Sequence, residues 1–345
     1  VNKRYQAYHE DLIRLINRGW ATKKELLFHL FAPAFAVNER AKKIVQSFQE
    51  KRTEDSTGKM QVYEIPVYSG TNQAVLKVQR ELGSSPIKSD LFGAYVHGSI
   101  AGGEEINYSD FDALVILKDE AFQCTGRLSK VCLELNRISR FFYKYDPLQH
   151  HGWFVLTESM LSQLPVIYFP PVLFSKCRSL FEDRGISVQL KEEAINKKED
   201  FESLFLNVAD SLKSHLKKGL LPDNAFTLKS VLSQFMLLPA LFLQALNQEG
   251  IDKKKSFEVA AGYFSKEEWE AMEKVSEIRL RWNYSITGSQ KFWLTHSKYL
   301  VRKWGRRFAP KVHKSISISL NRRLNEKMLI LINSMEEKSK KYIKD

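Results

Sequence analysis

The residues best suited to chemistry sit close together in "YVHGSIAGGEEINYSDFDALVIL", residues 95–117. A Gly-Ser pair, Gly98 and Ser99, follows one apolar segment. Ten residues later the triplet "DFD" opens another, "ALVIL". On a strand, residues two apart share a face, so Asp110 and Asp112 project together while Phe111 turns away. Two carboxylates beside a buried run repel each other unless a cation sits between them or the strand ends in water. Such a pair can converge on divalent cations about 3.5–4 Å apart. Mg²⁺, or Mn²⁺ in its place, suits a few carboxylates completed by phosphate oxygens. Gly98 permits close backbone approach, free amides at such a turn bind phosphate, and the Ser99 hydroxyl adds a further donor. One short segment thus carries both halves of a nucleoside triphosphate site. Ser109, just before the triplet, either touches phosphate or caps the turn.

These residues need two neighbouring strands joined by a phosphate turn, and the surrounding sequence supplies them. "DLFGAYVHGS" and "FDALVILKD" read as strands, and "EAFQCTGRLSKVCLELNRISRFF" as a helix. "FYKYDPLQHHGWFVLTE" reads as a strand, a Pro turn and a second strand. Upstream, "TNQAVLKVQRELG" reads as a helix with Thr71 as N-cap and Gly83 at its end. "MQVYEIPVYSG" reads as an edge strand or extended segment, because Pro66 is out of place in a central strand. "HEDLIRLINRGW" and "NERAKKIVQSFQEKR" are amphipathic helices. After about residue 190 the strand signals fade and helical patterns take over. The expected fold class is α/β (α+β), with a mixed sheet and a C-terminal helical bundle. The expected boundaries are an N-terminal helical extension over 1–70, a core over 71–190 and a helical domain with a basic tail over 191–345.

The Gly-Ser, spacer, Asp-apolar-Asp pattern resembles the DNA polymerase β-like nucleotidyltransferase superfamily. The residues that carry the resemblance are "VHGS", "IAGGEEINYS" and "DFDAL"; His97 stands where an apolar residue is more usual. The resemblance covers residues 90–120 directly, and the order of elements extends it to about 70–160. It implies transfer of a nucleoside monophosphate from an NTP, with ATP as the first expectation, to an acceptor hydroxyl. It also implies two Mg²⁺ ions on Asp110 and Asp112, and an active cleft between the core and the bundle. A third carboxylate on a later strand is usual in the family. Here the start of "GWFVL" holds His150 and His151 instead. Three readings stay open. His151 or His150 replaces the carboxylate as metal ligand or base; Asp146 folds back from the turn; or the third group is missing and the chain binds nucleotide with weakened catalysis. Lys229, a cation in the apolar helix "FTLKSVLSQ", is expected to face the cleft, as such residues do in related two-domain enzymes, or else to snorkel at the helix edge. Arg279 and Arg281 are comparable.

The bulk numbers frame these motifs. The 345 residues are 43% hydrophobic and 27% charged, enough for real cores. Cys124, Cys132 and Cys177 show no disulfide or zinc spacing, which points to a reducing, cytoplasmic setting. No signal-peptide pattern is visible, and the apolar run over residues 235–243 is shorter than the roughly 20 residues of a membrane span. The formal charge is +13, and residues 278–325 contain no Asp or Glu but twelve Lys and Arg. That window is either a solvated helix face or a surface for an anionic partner, such as nucleic acid or a phosphorylated molecule. The acceptor lies outside the motif and is not named by it.

Overall fold

The protein is described from a computed structural model that covers residues 3–22, 25–26, 31–49, 60–164, 167–181, 186–191, 198–217, 219, 221–246 and 253–344. Chain order begins with helices α1 (Lys3–Arg18) and α2 (Pro33–Gln49), strand β1 (Met60–Ile65) and α3 (Gln73–Gly83). Strand β2 (Leu91–Val96), the short helix α4 (Gly98–Gly102), β3 (Ala113–Leu117), α5 (Thr125–Tyr145) and β4 (Phe154–Thr157) follow. After β5 (Arg178–Ser179) and β6 (Ile186–Lys191) the described chain is helical. The fold is mixed α/β, with a mixed four-stranded sheet and a C-terminal helical region.

The sheet has the order β4-β3-β2-β5. β3 runs parallel to β4 and antiparallel to β2, and β5 pairs antiparallel at the edge. β3 is central, so all five of its residues are buried, which explains the unbroken apolar "ALVIL". Each Leu, Ile or Val buried there is worth about 1.5–3 kcal/mol. β1 pairs with β6 in a separate antiparallel ribbon, and Pro66 falls just beyond the end of β1. Leu12 and Leu15 of α1, Val37 and Ile44 of α2, Val75 and Val78 of α3 and Leu135 and Ile138 of α5 join the strands in one apolar cluster.

A second cluster fills the helical region. It is built from α6 (Lys198–Leu216), α7 (Ala225–Phe235), α8 (Leu238–Ala245), α9 (Lys253–Ala261), α10 (Lys266–Leu280) and the tail helices α11 (Gly288–Leu294), α13 (Lys314–Ser317) and α14 (Arg322–Lys344), while α12 (Tyr299–Gly305) lies outside it. Tyr108 and Leu148, which flank the strand ends in sequence, pack into this second cluster and form the seam. The stretch Ala225–Ala245 is long and apolar enough to cross a membrane by length and composition, with mean hydropathy 1.5. In the protein it is two helices, split at Met236 and Leu237, and 67% of the window is buried.

Three local expectations are corrected. "FYKY" is the last turn of α5, not a strand, because Ile138 and Phe142 continue the apolar face of Leu135. α5 itself starts at Thr125, since "DEAF" forms a 3₁₀ turn. The N-cap of α3 is Asn72, not Thr71; its side chain accepts from the amides of Ala74 (3.0 Å) and Val75 (3.4 Å). The break "RTEDSTGK" lies outside the described residues.

Candidate active site

The sheet alone explains why Asp110, Asp112 and His151 meet. Val96 pairs with Ala113, and the ladder continues one step, His97 N donating to Asp112 O at 2.9 Å. On the other side Leu114 pairs with Phe154 in parallel register. His151 lies three residues before Phe154, just short of the paired strands. The His151 Nε2 lies 3.1 Å from Asp112 Oδ1. Glu158 is at the opposite end of β4, away from this edge.

Phe111 anchors the triplet. Its ring stacks on Phe142 at 4.4 Å and is fully buried, which leaves the aspartates on the other side. Gln149 grips the main chain there. Its Oε1 accepts from Phe111 N (2.8 Å), and its Nε2 donates to Phe111 O (2.9 Å) and His151 O (2.9 Å). A buried primary amide thus does the work of a β-bridge between the Phe111 and His151 segments.

Gly98 is required twice over. Its φ is +69°, and a Cβ there would come within 2.6 Å of Asp112 Oδ2. Ser99 Oγ donates to Ser109 Oγ (2.9 Å), and Ser109 Oγ accepts from Ile106 N (3.0 Å), so the two serines close the loop that links the turn to the triplet. Ser109 is buried and Ser99 half-buried.

Lys229 crosses from α7 to the sheet edge with no solvent exposure of its side chain. Its Nζ lies 2.7 Å from Asp110 Oδ1 and donates to Asp146 Oδ2, also at 2.7 Å. Asp146 is the C-cap of α5 and its Oδ1 accepts from Leu148 N. Tyr108 fixes the same turn of α7: its hydroxyl donates to Lys229 O (2.8 Å) and pairs with Ser233 Oγ, and its ring lies 5.2 Å from Lys229 Nζ. Asp110 Oδ1 is thus held by the Lys229 ammonium, as Asp146 Oδ2 is.

The charges polarise one another. Burial opposes ionisation of Asp112, but the His151 hydrogen bond and charge prevail and hold it far below the usual carboxylate range. Burial works against the His151 cation too, yet Asp112 and then Asp110 raise its pKa to about 9. Asp110 is lowered despite burial, by Lys229 and then His151. Asp146 goes the other way. Burial, with the Asp110 charge against it, outweighs Lys229 and pushes it up to about 7. Lys229 is raised, because the two carboxylates outweigh its burial. His97 and His150 are both lowered to about 4 by burial. His97 packs on Phe154 and Phe169, which accounts for a ring at a position suited to an apolar residue. His150 stacks on Phe226 and bonds its carbonyl, turned away from the Asp112 contact.

Further cations approach from the bundle. Arg279 lies over the Tyr108 ring at 5.6 Å, and its buried Nε has no hydrogen-bond partner among the described residues. Lys253, an exposed residue at the start of α9, senses Arg279 and both aspartates. Arg281 instead pairs with Glu277 on the surface, and Trp282 is core, packed edge-on to Tyr108. The structure therefore brings together Asp110, Asp112, His151, Lys229, Gly98, Ser99 and Ser109. Asp146 joins them. Sequence reading gave no role to Tyr108 or to Gln149; both lie in polar loop segments, "INYSD" and "PLQHH", where no local pattern singles them out.

Among the described residues no group of three or more His, Cys, Asp and Glu side chains forms a metal cage. The donor set still fits a divalent cation shared with phosphate: Asp110 and Asp112 offer carboxylate oxygens at one edge, with Lys229 and His151 each holding one of those oxygens.

No family model and no curated protein matches the chain. Among solved structures it is similar to the spectinomycin adenyltransferase AAD(9) from Enterococcus faecialis, solved with ATP and spectinomycin. The identity is 12% and the TM-score 0.34, over 69% of this chain and 98% of that one. At that distance the likeness carries no argument about chemistry.

Proposed function

We propose that the chain is a nucleotidyltransferase that moves a nucleoside monophosphate from an NTP, ATP in the first instance, to an acceptor hydroxyl. The observation that carries this reading is the meeting of Asp110, Asp112 and a third buried carboxylate, Asp146, beside a Gly98–Ser99 turn. Asp110 and Asp112 would hold Mg²⁺ or Mn²⁺. When bound, the metal neutralises the triphosphate and lowers the pKa of the attacking hydroxyl.

The chain's own groups do the rest. The main chain at Gly98 and the Ser99 and Ser109 hydroxyls orient phosphate oxygens. Arg279 and Lys253 offset the charge on the leaving pyrophosphate. The acceptor oxygen bonds to the α-phosphorus while the bond from that phosphorus to the bridging oxygen breaks, and the hydroxyl proton passes to Asp146. With a pKa near 7, Asp146 is poised to take it. Lys229 keeps Asp146 and Asp110 in place. His151 carries its proton at neutral pH and so orients Asp112.

A second reading has an observation of its own. Lys229 and His151 already neutralise both aspartates without metal. A chain that keeps them so would bind nucleotide with weakened catalysis. Calorimetric titration with ATP and Mg²⁺ tests both readings against Asp110→Asn/Asp112→Asn. Mg²⁺-dependent binding that drops by more than the roughly 10–100-fold cost of an outer-shell change supports the site. Equal binding by the variant sinks it. Transfer of label from α-labelled ATP separates an enzyme from a binding module.

A further inference from the structure

The tail carries a built surface that the transfer reaction leaves unused. One face of α12 and the turn after it is docked. Arg302 is 1% exposed, with its guanidinium 3.7 Å from the Tyr143 ring centroid and Nη1 donating to His296 O (2.6 Å) and Ser297 O (2.7 Å). Gly305 is closed over by Trp293, where a Cβ would meet the Trp293 Cβ at 2.7 Å. Arg306 lies 4.6 Å from the Phe226 ring centroid, and Tyr299 packs edge-on to Trp20. The residues one step round, Lys303, Trp304, Arg307 and Phe308, all face solvent.

Trp304 is 47% exposed, Phe308 51% and Phe292 56%. Their rings are linked in a row: Phe292 to Trp293 at 5.2 Å, Trp293 to Trp304 at 5.0 Å, Trp304 to Phe308 at 4.8 Å. Lys291, Lys298, Lys311 and Lys314 are exposed in the same acid-free window. Of these cations, with Lys303 and Arg307, only Lys311 makes an ion pair, to Asp223, among the described residues.

We propose that this face binds a single strand of nucleic acid. Large rings half in water, spaced among unpaired cations, suit unpaired bases that stack on aromatic faces while Lys and Arg neutralise the phosphates. A duplex groove is read by a longer helix or a ribbon inserted into it. A membrane surface calls for a continuous apolar stripe on an amphipathic helix. Here α12 spans seven residues, and its exposed face is aromatic and cationic. The face also runs toward the aspartates: Arg306 covers Phe226, Phe226 stacks on His150 at 4.3 Å, and the adjacent His151 contacts Asp112.

The test is fluorescence anisotropy of the full chain with a labelled oligouridylate about 16 nucleotides long, without NTP or Mg²⁺. Affinity should fall steeply as salt rises from about 50 to about 200 mM. Trp304→Ala/Phe308→Ala should weaken binding by about 5- to 150-fold at fixed salt. Lys303→Gln/Arg307→Gln should flatten the log–log salt slope by about 1.4. Both double variants should keep the wild-type circular dichroism and melting midpoint. The proposal is overturned by absence of binding at low salt, by equal affinity for a duplex of that length, or by affinity that neither double variant changes. Binding to phosphatidylserine vesicles without oligonucleotide binding overturns it too. Because the assay uses neither NTP nor metal, its failure leaves the transfer reading standing, and failure of ATP binding leaves this one standing.

Discussion

Lys229 donates a 2.7 Å hydrogen bond to Asp146 Oδ2 from a side chain with no solvent exposure, and the same ammonium touches Asp110 Oδ1 at 2.7 Å. One cation from the helical region therefore compensates two carboxylates at the sheet edge. Its removal leaves those charges buried and unpaired, the costly way to break such a cluster. Lys229→Met is expected to lose about 3–5 kcal/mol of stability in urea denaturation. Adding Asp146→Asn should recover part of that loss, since one uncompensated charge is gone. A Lys229→Met protein as stable as wild type would show that the cluster contributes nothing.

Gly98 tests the proposed phosphate turn. Gly98→Ala places a methyl 2.6 Å from Asp112 Oδ2 on a backbone with φ +69°. The left-handed conformation alone costs about 1–2 kcal/mol. The larger effect should fall on the site, because either Asp112 or the turn must move. ATP binding in the presence of Mg²⁺ is expected to fall by more than the stability change accounts for, measured by calorimetry beside a thermal melt. A full-affinity alanine variant would remove Gly98 from the site.

Much of this edge was legible in sequence because its signals are local. "GAYV" and "ALVIL" are strands by apolar content, and the alternation of Asp110, Phe111 and Asp112 follows from carrying that strand geometry back past Ala113. Asp146 was harder to place. It reaches the site only because α5 runs through "FYKY" to Tyr145 and delivers its C-cap to the sheet edge. Read as a strand, that segment leaves Asp146 in a turn with no address. Lys229 was visible as a cation in an apolar helix, but its two partners lie 83 and 119 positions earlier, and no local pattern names them. The hold of Gln149 on Phe111 is equally non-local.

The His151–Asp112 contact predicts a pH dependence of stability. His151 is raised from its ordinary value of 6.5 to about 9, so its contribution is fully present below about pH 6.5 and is lost as pH rises through 9. Asp112 is depressed, so its share is present above the ordinary carboxylate range and is lost only in strong acid. Between pH 6.5 and 9 the wild type should therefore lose stability that His151→Gln does not. The pair is part-exposed, so the difference should not exceed about 1 kcal/mol. Denaturant midpoints of both proteins across that window measure it, and parallel curves would mean that the pair is not formed in solution.

Asp146 offers the sharpest test of the assignment of the base. Its pKa is raised to about 7, chiefly by burial and then by Asp110 against the opposing pull of Lys229. A base must be deprotonated to act, so the rate of nucleotide transfer should rise with pH through about 7 and then level off. Asp146→Asn keeps the shape and a hydrogen-bonding group for Lys229 but cannot take a proton. It should lower the single-turnover transfer rate by about 10²–10⁴-fold and abolish the rise near pH 7. Mg²⁺-dependent ATP affinity should stay within a few-fold, since Asp110 and Asp112 remain. If His151 were the base instead, the rise would survive in Asp146→Asn and vanish in His151→Gln, and it would lie near pH 9, where His151 loses its proton.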